Sequence, residues 1–212
     1  LPLLAALALL GSAGLLPAPA MPPPPPQAQV ETLVCFRHGE KLEPWHLGQL
    51  DARGLNRSLA LPDVLLGKYG KPDFLFAPDP AALMEWKGEA HCYVRPLATI
   101  EPTAIRCGMP VDTRFGYRDV AGLEEELLRP RYRAATVFVC WEHARLEEFV
   151  RHLVARCGGD GGGVPAWDDA MGYDAIYLVR ITTAGGKVSA AFSLDHEGLD
   201  GLPDTFPAPA KR

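Results

Sequence analysis

The chain has 212 residues, 48% of them hydrophobic and 22% charged, with a formal net charge of -5. That is enough chain for one α/β domain with its own core, and the composition excludes a disordered or fibrous protein. A net negative charge offers no general attraction for nucleic acid or anionic membrane, so any grip on phosphate must come from a local group of arginines.

In chain order, residues 1–20 (LPLLAALALLGSAGLLPAPA) are uncharged, rich in Leu and Ala, and end in small residues spaced as at a cleavage signal. They read as a secretory signal peptide. The expected location is therefore periplasmic or secreted, with no stable membrane association after cleavage. Pro2, Gly11 and Pro17 argue against a permanent membrane helix, which needs about 20 uninterrupted apolar residues. Translation from Met21 would instead make the protein cytoplasmic. Residues 21–29 are a stiff proline-rich spacer, the folded domain is expected over 30–201, and 202–212 form an irregular tail.

A first strand is expected at 31–36 (ETLVCF), then a helix from Arg53 to Tyr69 bent near Pro62. A second strand covers 73–78 (DFLFAP). The helix Arg95–Cys107 carries Pro96 in its first turn, a bend at Pro102 and Gly108 as its stop. A strand at 111–115 (VDTRF) and a helix at 121–128 follow. The apolar run 135–141 (ATVFVCW) reads as a buried strand, and Leu146, Phe149, Val150, Leu153, Val154 and Cys157 recur at helical spacing after it. GGDGGG at 158–163 breaks the chain as a flexible turn, and 175–181 with 187–194 form a closing hairpin. Strands that alternate with helices and are apolar throughout predict an α/β three-layer sandwich around a mostly parallel central sheet.

Five cysteines form no CxxC pair. Cys35 and Cys140 lie in apolar runs and are expected to be buried thiols, Cys157 sits on an apolar helix face, and Cys92–Cys107 is a possible bridge if the protein is exported.

Ligands of such sheets bind beyond the carboxyl ends of the strands. The run TLVCFRHGEK places Arg37, His38 and Gly39 at one such end, and WEHARLEEF places His143 at another, just before a helix. Glu40 either orients a basic neighbour or is a surface carboxylate. His46 and His91 have no partners at metal-ligand spacing and read as ordinary loop residues. The Gly-rich 158–163 lacks the Lys-Ser or Lys-Thr of a phosphate cradle.

Together RHGE after an apolar strand, PDFLFAPDP, RPLATIEPTAIRCGMPV and a later strand ending in histidine resemble the histidine phosphatase superfamily, with its phosphoglycerate mutase-like and acid phosphatase-like members, over roughly residues 31 to 150. The resemblance implies a phosphoglycerate mutase-like fold and a nucleophilic His38 that forms a phosphohistidine. It implies Arg37 and Arg95 as phosphoryl clamps, and His143 as a hydrogen-bond donor to the same group. No metal or other cofactor is implied. Arg57 is a further candidate phosphate contact, with a solvated or supporting role as its alternative. Acid phosphatase-like members place an aspartate after the second histidine, where this chain has Ala144. Asp119 is then the favoured proton donor by position, with Glu124 and Glu142 behind it. The implied activity is metal-independent hydrolysis of a phosphomonoester, borne by a small molecule or a phosphorylated protein. A phosphomutase and a non-catalytic phosphate-binding descendant are the alternatives. Fifty-five residues separate Gly39 from Arg95, which leaves no room for a large cap. The loop 81–93 is expected over the mouth of the site, where Met84, Trp86 and Lys87 either pack on a substrate's organic part or merely cover the sheet edge.

Overall fold

The computed structural model describes residues 27–42, 47–168 and 170–208. In strand β1 (Gln29–Arg37), Leu33 and Cys35 face one side while Val34 and Phe36 face the other, and all four are fully buried. A strand that is apolar on both faces must lie mid-sheet with a helical layer on each side. The sheet runs β2-β5-β1-β6-β7, where β2 is Phe74–Phe76, β5 is Thr136–Trp141, β6 is Ala175–Ala184 and β7 is Lys187–His196. The neighbours β2, β5 and β1 are parallel, whereas β6 and β7 run antiparallel as the expected hairpin.

Helices α1 (Ala52–Tyr69) and α2 (Arg95–Cys107) cover one face, packing Leu61, Leu65, Ile100 and Ala104 against Val34, Phe36 and Phe138. On the other face α3 (Val120–Leu127) and α4 (His143–Arg156) bring Leu123, Leu127, Leu146, Phe149 and Val150 against Leu33, Val137 and Val139. The three-layer α/β sandwich of the sequence reading is the fold found. Pro62 and Pro102 sit inside continuous helices. Each removes one helical hydrogen bond, but the buried faces around them hold the helices to the sheet.

Three expectations need correction. The strand at 111–115 reduces to a single bridge, in which Asp112 pairs with Phe76 beside β2. The loop 81–93 is a β-hairpin, β3 (Leu83–Trp86) and β4 (Glu89–Cys92), turned at Lys87 and Gly88, both with positive φ. All five cysteines are free, and Cys92–Cys107 is no bridge. Cys107 is the last residue of α2 and Cys92 lies three residues before its start, so the 13 residues of the helix, about 20 Å long, stand between them, far more than a disulfide can reach. The Gly-rich turn is also closely packed: a Cβ on Gly161 would meet the Arg151 carbonyl oxygen at 2.5 Å, and one on Gly159 the Ala190 carbonyl oxygen at 2.4 Å.

The expected signal peptide and most of the spacer lie outside the described residues. Among the described residues no helix is long and apolar enough to cross a membrane.

Candidate active site

Parallel pairing of β1 with β5 sets Arg37 opposite Trp141, and the His38 amide donates to the Trp141 carbonyl at 3.1 Å. Register alone therefore sends His38 and His143 off from neighbouring strand ends, at the carboxyl edge where α/β ligands bind. The Gly39 amide donates to Thr99 Oγ1 at 2.9 Å, and the Thr99 hydroxyl donates to the Arg95 carbonyl at 2.8 Å. The first turn of α2 is thus fastened to the turn after β1, which brings Arg95 to His38.

Gly39 has a reason beyond turning the chain. A Cβ there would come within 3.0 Å of Gly54 backbone, and a Cβ on Gly54 would meet the Glu40 carbonyl oxygen at 2.3 Å. Two glycines let α1 press directly on the turn behind the nucleophile. Asp51 starts α1 there by accepting from the Gly54 amide at 2.7 Å.

His38 is only 2% exposed, and its Nδ1 lies 2.7 Å from the Gly39 carbonyl oxygen. A carbonyl only accepts, so Nδ1 carries the proton and Nε2 holds a free lone pair. Burial, and then the Arg95 and Arg37 guanidiniums, hold the imidazole well below the ordinary histidine range. His38 is therefore neutral at neutral pH, as an attacking nitrogen must be.

Two arginines with unspent donors surround it. Arg37 donates from Nη1 to the Gly172 carbonyl at 3.0 Å, and its guanidinium lies 3.9 Å over the Tyr173 ring, while its buried Nε has no partner. Arg95, 4% exposed, reaches Met84 Sδ from Nη2 at 3.4 Å, and its Nε and Nη1 are unpartnered. Burying guanidinium donors unpaired is costly unless an anion completes them.

Glu142 caps α4 by accepting from the Arg145 amide at 2.9 Å, and one of its oxygens lies 2.6 Å from His143 Nδ1. That contact is one of charge more than of hydrogen-bond alignment, for Nδ1 still lacks a well-placed partner. Burial alone would raise the Glu142 carboxyl, but His143 and the amides of Arg145 and Ala144 hold it at about 2.

No protein-family model and no curated protein matches the sequence. Among solved structures, the chain is similar to the candidate phosphohistidine phosphatase SixA of Nakamurella multipartitia, at 17% identity and a TM-score of 0.53 over 82% of this chain and 98% of that one. The chain has the histidine phosphatase fold. Fainter likenesses are to a candidate α-ribazole-5′-phosphate phosphatase of Escherichia coli K-12 (12% identity, TM-score 0.48, 84% of this chain and 99% of that one) and to a mycobacterial glucosyl-3-phosphoglycerate phosphatase (14%, 0.47, 77% and 95%).

Within this fold Arg37, His38 and Arg95 come together, and His143 starts α4 at the adjacent strand end. Arg57 does not join them. Its side chain is fully buried on α1 and donates from Nε and Nη2 to both oxygens of Glu40 at 2.9 and 2.8 Å, and from Nη1 to Glu197. The carboxylates that neutralise it close it off from substrate, and Glu40 is its partner rather than a surface group.

The proton-donor candidates fare differently. Glu124 is buried against α4, bonded to His152 Nδ1 and Arg156 Nη1, each at 2.6 Å. It helps line a cleft of about 310 Å³ between α3 and α4 that shares no residue with the His38 cluster. Asp119 is exposed and caps α3, accepting from the Gly122 amide at 3.0 Å. Glu142 is at the site but ionised. Sequence reasoning missed Tyr173, which arrives from the loop before β6 with no local signal, and Tyr93, whose only signal is its place two residues before Arg95.

Proposed function

We propose that the chain is a metal-independent phosphatase of the histidine phosphatase superfamily, working through a phosphohistidine on His38. One observation carries the reading: a buried imidazole with its Nδ1 proton tied to the Gly39 carbonyl stands between two guanidiniums that still have donors to give. His38 Nε2 attacks phosphorus, the P–O bond to the leaving group breaks, and its electron pair departs with that oxygen. Water then attacks the phosphohistidine, the P–N bond breaks, its electron pair returns to Nε2, and orthophosphate leaves. Arg37 and Arg95 hold the equatorial oxygens, where charge is spread in the transition state. The Glu142 carboxylate, 2.6 Å from Nδ1, keeps His143 oriented as a donor to the same group.

The substrate class follows from the acids. Glu142 is ionised, Glu124 is spent on α4 and Asp119 serves as a cap. Phosphoryl compounds whose leaving group departs without a strong proton donor are then favoured. Aryl phosphates and phosphohistidine, after which the Nakamurella SixA phosphatase is named, both belong to that class. The test is phosphate release by the full chain from an aryl phosphate and from a phosphohistidine protein, with and without chelator. Turnover unaffected by chelator, abolished in His38→Ala, and accompanied by acid-labile, base-stable phosphate on the wild-type protein is expected. Full turnover in His38→Ala would end the reading.

A further inference from the structure

The chemistry above leaves the hydroxyl of Tyr93 unused. Tyr93 is fully buried and its hydroxyl, although close to the Arg95 guanidinium, makes no well-aligned hydrogen bond. A stranded buried hydroxyl destabilises the fold, and phenylalanine would fill the same space without that cost. The ring meets His38 edge-on at 5.9 Å and 90°, and the Arg95 guanidinium lies 4.9 Å from its centroid. The Tyr117 ring also packs against it, with centroids 5.0 Å apart. The residues beside it share its condition, since Arg95 Nε and Nη1 and Arg37 Nε are also buried donors without acceptors.

The backbone holds Tyr93 in place. Its amide donates to the Ala82 carbonyl at 3.0 Å, closing the base of the β3–β4 hairpin, and the Arg95 amide two residues on donates to the Gly48 carbonyl at 3.0 Å. Gly48, with φ of 72°, sits so tightly on this segment that a Cβ there would lie 1.9 Å from the Cys92 carbonyl oxygen. The hairpin and the 47–50 segment thus clamp the residues on either side of the ring.

We propose that the Tyr93 hydroxyl is a hydrogen-bond donor to the phosphoryl group bound at His38, completing with Arg37 and Arg95 a ring of donors that an oxyanion fills. This rests on the phosphatase reading above. A neutral donor suits the place, because the Arg37 and Arg95 guanidiniums already repel each other and a third charge would add to that repulsion. Burial pushes the phenol up, so it stays protonated wherever His38 works; it lends its proton to a hydrogen bond and does not transfer it.

The test measures orthophosphate binding by calorimetry and orthovanadate inhibition of aryl phosphate turnover, with the full chain, in wild type, Tyr93→Phe and Tyr93→Met. A hydrogen bond to a charged group is lost, so both variants should bind either anion about tenfold more weakly or worse. The Tm of Tyr93→Phe should be unchanged or higher, since an unpaired buried hydroxyl has been removed. Affinities within about twofold of wild type in both variants would overturn the role of Tyr93 and leave the phosphatase reading standing. A clear fall in Tm for Tyr93→Phe would also overturn it, by showing that the hydroxyl serves the fold. Failure of the wild type to bind either anion would remove both readings together.

Discussion

Two arginine clusters lie back to back across the Gly39–Glu40 turn, and they are filled in opposite ways. On the α1 side, Arg57 spends its donors on Glu40 and Glu197, with Asp200 at 3.3 Å and the Leu199 carbonyl at 3.4 Å as further acceptors. Negative groups are in excess there. Burial pushes the Glu197 carboxyl up to about 8, against the pull of Arg57 beside it. On the His38 side, Arg37 and Arg95 keep buried donors without acceptors, and positive charge is in excess. A closed cluster works for the fold, whereas an open one is completed only by what it binds. Charge and burial alone do not separate them, because both hold buried arginines; the count of unspent donors does.

The sharpest way to break this contrast is to exchange the roles. Arg57→Ala leaves Glu40 and Glu197 buried without their cation, and should cost about 3–5 kcal/mol of stability in denaturant titration. Phosphate affinity, measured where the variant is still folded, should change far less. Arg95→Ala should do the reverse. Two charge-assisted hydrogen bonds to the anion are lost, so orthophosphate binding should weaken by about 3 kcal/mol or more, while urea midpoints stay near wild type or rise. If Arg57→Ala abolished phosphate binding with stability intact, the two clusters would have been misassigned.

Smaller changes sharpen the picture. Glu40→Gln keeps the shape of the Arg57 pair and removes its charge, and should cost about 1–2 kcal/mol in the same titration. The pH dependence should follow His38. Its folded pKa lies below its unfolded value, so its contribution to stability is present above about pH 6.5 and is lost as pH falls through the lowered folded pKa. The acid limb of kcat/KM should likewise lie below pH 6.5. Arg95→Ala removes the second cause of that depression after burial, so it should move the limb upward. A limb that stays put in Arg95→Ala would mean that the two groups do not share a cavity.

The legible part of the site was the part written locally. Arg37, His38 and His143 stand at the ends of apolar strands, and Arg95 opens a helix marked by Pro96 and Gly108. Strand and helix periodicity was enough to carry them to one edge of a sheet. The hairpin β3–β4 was hidden because its residues are largely exposed and its strands, only four residues each, are too short for a periodic pattern to show. Strand 111–115 failed for the opposite reason: an alternating run found only a single bridging position beside β2. The two roles left open for Arg57 could not be separated locally, because its partners Glu40 and Glu197 lie 17 and 140 residues away.

By itself, the order of residues determined which strands are apolar on both faces, and therefore that the sheet is covered twice and that its carboxyl edge collects an arginine and two histidines. Those are consequences of period and burial, which act over a few neighbouring positions. Only the tertiary structure decided which polar groups find partners. Arg57 meets its carboxylates, Arg95 and Tyr93 are left with donors in hand, and Asp119 and Glu124 turn to helices. Hydrogen bonding and charge pairing are settled between residues distant in the chain, and they depend on distances of a few ångströms that no local pattern encodes.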